Sequence, residues 1–148
     1  MLHFEGDKEF QLPAASLWGK LSDARFLVQC IPDVQSVSQA GPDAAAFTIR
    51  PGFSFVRGTL DVNLRVTEAI EQKSLRLHVA SRGIGSTSAL EAGFTLLPQS
   101  EHTEVHWTVD VTALGGLLKA VPQGLIKASA QKVIADVWAS VEKNLAAP

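Results

Sequence analysis

A long amphipathic helix near the C-terminal end constrains this chain most. From Leu125 to Leu145, entered through Pro122-Gln-Gly124, apolar side chains recur at Ile126, Ala130, Val133, Ile134, Val137, Trp138, Val141 and Leu145. Spacings of three and four put them on one wide stripe. Lys132, Asp136 and Lys143 fall on the opposite, wet side, with Ser129 and Ser140 at its margin, while Lys127 and Asn144 break the stripe near its ends. Such a helix is poorly stable alone in water, so the rest of the chain must cover its stripe.

What precedes it can supply that cover. Leu2, Phe4, Phe10 and Leu12 share one parity against His3, Glu5, Asp7, Glu9 and Gln11, a half-buried strand that only Lys8 interrupts. Pro13 suits a first helical position, with Leu17, Trp18 and Leu21 following at helical spacing. Ser22 or Asp23 can cap a second short helix carrying Phe26 and Leu27, which Pro32 stops. Period two then returns from Val34 to Thr112. Val34–Gln39 is a weak strand; Phe47 and Ile49 lie on the next. Leu60, Val62, Leu64 and Val66 make the cleanest one. Leu75, Leu77 and Val79 precede a turn at Gly83-Ile-Gly85, and Leu90, Ala92, Phe94 and Leu96 form another apolar face. Val105, Trp107, Val109 and Val111 close the series, and Gly115-Gly116 is expected to break the sheet before a helical segment at Leu117, Leu118 and Val121.

Short loops between such strands favour an antiparallel meander. Strands followed by a helix indicate an α+β fold, with the helix on one face of a bent sheet and room for a cavity between them. Residues 1–148 form one expected domain, long enough to bury about two thirds of the unfolded surface. Hydrophobic residues make up 46% and charged ones 19%, which fits a globular chain. A net charge of -2 gives no electrostatic basis for nucleic-acid binding. The lone cysteine, Cys30, rules out an internal disulfide and fits a reducing cytosol. The N-terminal stretch carries charges where a signal peptide would be apolar, and no apolar run approaches the roughly 18 residues of a membrane span. A cytoplasmic protein without an integral membrane segment is the expectation.

Catalytic signatures are missing: no G-x-S-x-G elbow, Walker loop, H-E-x-x-H or C-x-x-C pair occurs. His3, His78 and His106 sit on the polar parity of their strands and His102 in a loop, so no metal site or cofactor is expected. Arg50, Arg65 and Arg76 fall on wet parities too. Arg57 shares its parity with Phe53 and Phe55 and is the arginine best placed to pair with a ligand.

The apolar set is the stronger signal. Phe47, Ile49, Leu60, Val62, Leu64, Leu75, Leu77, Phe94 and Trp107 are expected to converge on the concave face of the sheet. Leu118, Leu125 and Ile126, with Ser129 at the margin, would form the helix wall of a ligand cavity. Phe53 and Phe55, beside Pro51-Gly52, could be a lid at its mouth or a surface that docks on a partner. Trp18 and Trp138 are expected to anchor helix to sheet. The cavity opening is expected at the N-terminal part of the long helix, just after Pro122.

Several residues carry a family resemblance. Phe4-Glu-Gly6, Phe10, Leu12-Pro13, Trp18, Leu21-Ser-Asp23 and Cys30-Ile-Pro32 resemble the opening of the carbon monoxide dehydrogenase CoxG family, in the START/Bet v 1-like (SRPBCC) superfamily. Gly58, Leu96-Leu-Pro98 and Gly115-Gly-Leu-Leu118 look similar too. Asp33 stands where the family often has glycine, Pro51-Gly-Phe-Ser-Phe55 replaces a more glycine-rich stretch, and the chain ends at Pro148 without the extension some members carry. The resemblance implies a helix-grip fold, with a curved antiparallel sheet of about seven strands round the long helix. It also implies a deep cavity for a hydrophobic, lipid- or quinone-like small molecule and an accessory role beside a molybdenum hydroxylase. The leading expectation is a non-enzymatic carrier. A cyclase, hydrolase or isomerase in the same cavity would need His78, His106, Arg57 or Asp61 to point inward, and an interaction module would use Phe53 and Phe55.

Overall fold

The computed structural model describes residues 2–51 and 58–146. Phe53, Phe55 and Arg57 therefore lie outside the described residues. Strand β1 (Leu2–Phe10) leads into helices α1 (Ala14–Leu21) and α2 (Ala24–Gln29). Strands β2 (Val34–Ala40), β3 (Ala44–Ile49), β4 (Leu60–Ile70), β5 (Ser74–Gly83), β6 (Ser86–Pro98) and β7 (Thr103–Gly116) follow. A 3-10 turn at Leu117–Ala120 then passes the chain to the long helix α3 (Gln123–Ala146).

The strands form one seven-stranded sheet in the order β1-β7-β6-β5-β4-β3-β2, antiparallel throughout. The last strand pairs with the first, as a meander whose N-terminal strand folds back beside its end. This is the expected α+β helix-grip architecture, a curved sheet with two short helices early and one long helix late.

Local chemistry explains the elements. Asp23 caps α2 by accepting a hydrogen bond from the backbone N–H of Arg25 at 2.9 Å. The Arg25 guanidinium holds that carboxyl below its usual range. In β1, Leu2, Phe4 and Phe10 are buried while His3, Glu5, Asp7 and Glu9 are exposed, so one parity faces inward. Lys8, the exception on the inner parity, reaches Glu142 of α3 at 3.3 Å and keeps its charge at the rim.

Two expectations needed correction. Gly115 and Gly116 do not break the sheet: they pair with Thr87 and Ser86 at the end of β7. A bulge after Val111 absorbs one residue there, and Gly116 takes φ 61, a conformation glycine adopts without strain. The long helix also begins two residues earlier than the apolar stripe implies, at Gln123, because the Pro122 carbonyl accepts from the N–H groups of Leu125 and Ile126.

Gly6 has a packing reason to be glycine. It lies opposite Trp107 in the β1–β7 register, and a Cβ there would stand 2.7 Å from the indole ring. The ring can only lie across the strand because the side chain is missing. Gly6→Val is expected to force Trp107 aside at a cost of about 1–3 kcal/mol, typical of overpacking. Urea denaturation read by tryptophan emission tests this, and unchanged stability would refute it. The β5–β6 hairpin raises a second case. Its two loop residues, Ile84 and Gly85, both have positive φ, 55 and 69, as a type I′ turn demands. A β-branched residue is strained there, so Ile84→Asn should stabilise the fold by about 1 kcal/mol, seen as a higher melting temperature.

Candidate functional site

The inner side of the sheet is covered unevenly. Helix α3 is fully seated at two residues, Ile126 near its start and Val141 near its end. Val141 joins Phe10, Leu17, Leu21, Phe26, Cys30, Leu96 and Val105 in a core that Trp138 and Leu145 also pack against. Ile126 joins Leu2, Phe4 and Val111, with Trp107, Val109, Ala130 and Ile134 around them. A third cluster, of Ala24, Val28, Ala45, Phe47, Val62 and Leu64, takes its helical cover from α2 alone, and no described residue of α3 packs into it. The long helix is thus tied to the β1–β7–β6 side and stands away from β3–β5.

The aromatic residues make that tie. Trp138 lies 6.1 Å from Phe10 and 6.3 Å from Trp107 between ring centroids, and Trp18 meets Phe94 edge-on at 6.4 Å. Both tryptophans expected to anchor helix to sheet do so. Asn144, which breaks the helix stripe, donates to the Gln29 carbonyl at 3.3 Å and to Cys30 Sγ at 3.4 Å. Burial pushes the Cys30 thiol up, against the smaller opposite pull of that hydrogen bond, so it stays a neutral core thiol.

The residues expected to line a cavity divide into groups. Phe47, Val62 and Leu64 are buried in the α2-covered cluster, with Ile49 and Leu77 half-buried against it. Leu60 and Leu75 are buried. Phe94 packs with the Val141 core, and Trp107 and Leu118 with the Ile126 core. Ser129 is half-buried on α3. Leu125 differs from expectation: it is 41% exposed. Ile126 takes the inward position, and one residue earlier on a helix lies about 100° round the axis. Ile126 packs with Leu2, Phe4 and Val111 at the start of α3, and a small cleft lies further along the flank of the helix.

That flank carries a small mouth. Ile31, Pro32, Asp33, Ile49 and Pro51 face Lys132, Val133 and Asp136 of α3 across a cavity of about 100 Å³. Lys132 binds Asp136 at 2.8 Å, and this partner, helped by Asp33, holds the ammonium above its ordinary value. Asp136, expected on the wet side, is half-buried at this rim. Asp33 has φ 64, which explains why glycine suits the position after Cys-Ile-Pro: the backbone there is left-handed. Sequence reasoning missed Ile31, Pro32 and Val133, since a loop–helix meeting has no periodic signature. A larger depression of about 440 Å³ lies between α1 and α2, lined mostly by exposed residues including Lys20 and Arg25, together with the buried Phe26.

The histidines belong to the outer face. His106 meets Asp7 at 3.0 Å, His78 meets Glu91 at 2.6 Å, and His3 meets Glu5 at 2.8 Å and Asp110 at 2.5 Å. Those two carboxylates, Glu5 foremost, raise the His3 pKa. Asp61 is exposed and accepts from the Thr48 hydroxyl. Glu9, His102 and Glu104 bring ligand-type atoms within 4.8 Å of one another, with His102, just before β7, 3.5 Å from the exposed Glu9 carboxylate. Of the four groups, at least one of which an enzyme would need pointing inward, His78, His106 and Asp61 face outward. Arg57 lies outside the described residues.

Comparisons with known proteins agree with this geometry. A protein from Geobacillus kaustophilus has a solved structure that superposes with a TM-score of 0.86 at 25% identity, covering 98% of this chain and 95% of that one. A START superfamily protein from Mycobacterium smegmatis matches with a TM-score of 0.69 at 13% identity, over 97% and 96% of the two chains. A protein from Thermus thermophilus gives 0.66 at 12% identity, over 97% of each. No curated protein matches the sequence. The model of the carbon monoxide dehydrogenase CoxG family matches residues 6–146, and the chain belongs to that family.

Proposed function

We propose that the protein is a carrier that holds a hydrophobic, lipid- or quinone-like small molecule between α3 and the β3–β5 part of the sheet. One observation carries this reading: α3 contributes nothing to the apolar cluster of Phe47, Val62 and Leu64. Val133, Ile134 and Val137 of the helix and Leu77, Val79, Leu90 and Ala92 of the sheet are left only half-buried. Apolar residues on facing elements normally close on each other. Two such walls held apart offer a ligand what water cannot, at roughly 25 cal/mol per Å² of apolar surface covered. The outward-facing histidines give no matching support to a catalytic reading.

The family description also supports a finer role, service to a carbon monoxide dehydrogenase-type molybdenum hydroxylase. No described helix is long and apolar enough to cross a membrane. A cytoplasmic working place fits the single reduced, buried Cys30.

Native mass spectrometry and fluorescence of N-phenylnaphthylamine are expected to show stoichiometric uptake. Leu90→Trp, which fills the inner face from a half-buried position, should weaken uptake about tenfold, or about 1.4 kcal/mol, with little change in melting temperature. Failure of the unaltered protein to take up any apolar probe would sink the carrier reading. Mixing the protein with a purified molybdenum hydroxylase of this type and looking for a joint elution peak tests the partner separately.

A further inference from the structure

We propose that Ser81 and Ser88 form the polar anchor of the inner face and hold a neutral carbonyl or hydroxyl oxygen of an otherwise apolar ligand. This deepens the carrier reading and rests on it. The two residues are direct partners in the β5–β6 register, and their hydroxyl oxygens lie 2.5 Å apart. Register also fixes which way they face. Ser81 stands opposite Val62, a buried member of the cluster that α2 covers, and Ser88 stands opposite Leu114, which packs with the Ile126 core. Directly opposed residues in an antiparallel pair share a face. The pair therefore sits on the inner side, at the seam between the two clusters that α3 fails to join. Both residues are half-buried.

The hydrogen-bond count leaves something to offer. Several other hydroxyls in this protein settle on backbone carbonyls, Thr67 on Arg76, Thr112 on Ala89 and Thr103 on Leu12, and Thr48 settles on the Asp61 carboxylate. Among the described residues, Ser81 and Ser88 have only each other. One O–H is consumed within the pair, so the second O–H and the remaining lone pairs stay available. A ligand carbonyl can take that proton, and a ligand hydroxyl can take it or give one back. A carboxylate is a poorer fit. Lys8, on the inner parity, pairs with Val105 at the opposite end of β7 and is engaged by Glu142, and Lys132 on the flank of α3 is engaged by Asp136. Burying an unpaired charge beside two neutral hydroxyls is costly.

The test displaces N-phenylnaphthylamine with a matched set: dodecane, dodecanol, a dodecanone and dodecanoate. The unaltered protein should prefer dodecanol and the dodecanone over both dodecane and dodecanoate. In the Ser81→Ala, Ser88→Ala double variant, affinity for the two neutral oxygenated chains should fall roughly three- to tenfold, the loss of one neutral hydrogen bond. Dodecane should bind the variant as before. Ser88→Thr, which keeps a hydroxyl, should retain the preference, and this separates loss of the anchor from general damage to the sheet. Equal binding of all four chains, a preference for dodecanoate, or an equal loss for every chain in the double variant would overturn the anchor and leave the carrier intact. If the unaltered protein binds neither the dye nor any chain, both readings fall.

Discussion

The rest of the structure depends on where the long helix is tied down. Trp138 packs between Phe10 of β1 and Trp107 of β7, and Val141 is sealed a turn further on. These are large, stiff side chains, so they fix both the distance and the direction of α3 relative to one side of the sheet. A sheet this wide cannot be covered by one helix lying to one side. The chain answers with α2, whose Ala24 and Val28 cover the β3–β4 region. With α1 packed beside α3 through Leu17, Leu21 and Trp18, the helices divide the inner face between them, and the uncovered strip falls where the territories of α2 and α3 meet. Gly6 belongs to the same arrangement, because the indole of Trp107 can lie flat only over a strand position without a side chain.

The outer face has a different task. Its histidines and carboxylates stand opposite one another on neighbouring strands, as His106 does with Asp7 and His78 with Glu91. Cross-strand pairs of opposite charge favour the correct register, and slipping by one residue would bring apolar side chains into water. Such pairs are solvated and individually weak. They fix register and keep the surface wet, which leaves the inner face free to be almost wholly apolar.

Much of this was legible in the residues. The period-two runs located every strand, the three- and four-residue spacings located α3, and the parity of each strand told its faces apart. Parity also placed His3, His78 and His106 outside. What escaped had no period to betray it. Ile31, Pro32 and Val133 meet at the mouth through a loop and the side of a helix, and nothing local records that meeting. Leu125 shows the limit of a stripe argument: an apolar residue beside the stripe reads as part of it, while the 100° step from Ile126 decides its exposure. Gly115-Gly116 misled for the opposite reason, since a glycine pair that usually ends a strand here lets β7 bulge and continue.

The strands also ran longer than their apolar residues. In β5 the apolar alternation stops at Val79, since Ala80, Ser81 and Arg82 do not continue it, while the ladder runs on to Gly83 at the expected turn. A polar residue on an inner parity looks like the end of a strand, and sequence alone cannot separate that from a polar group placed inside on purpose. Register can. Once Ser81 is seen opposite Val62, the serine is a hydroxyl within an apolar surface, where an unshared hydrogen-bonding group is costly unless something engages it. Apolar walls supply attraction without direction, so a ligand held by them alone could lie either way round. One fixed polar pair at one end removes that freedom. The strip left open by the anchoring of α3 and the hydroxyls set within it are therefore parts of one arrangement: the first admits a chain-like molecule, and the second gives it an orientation.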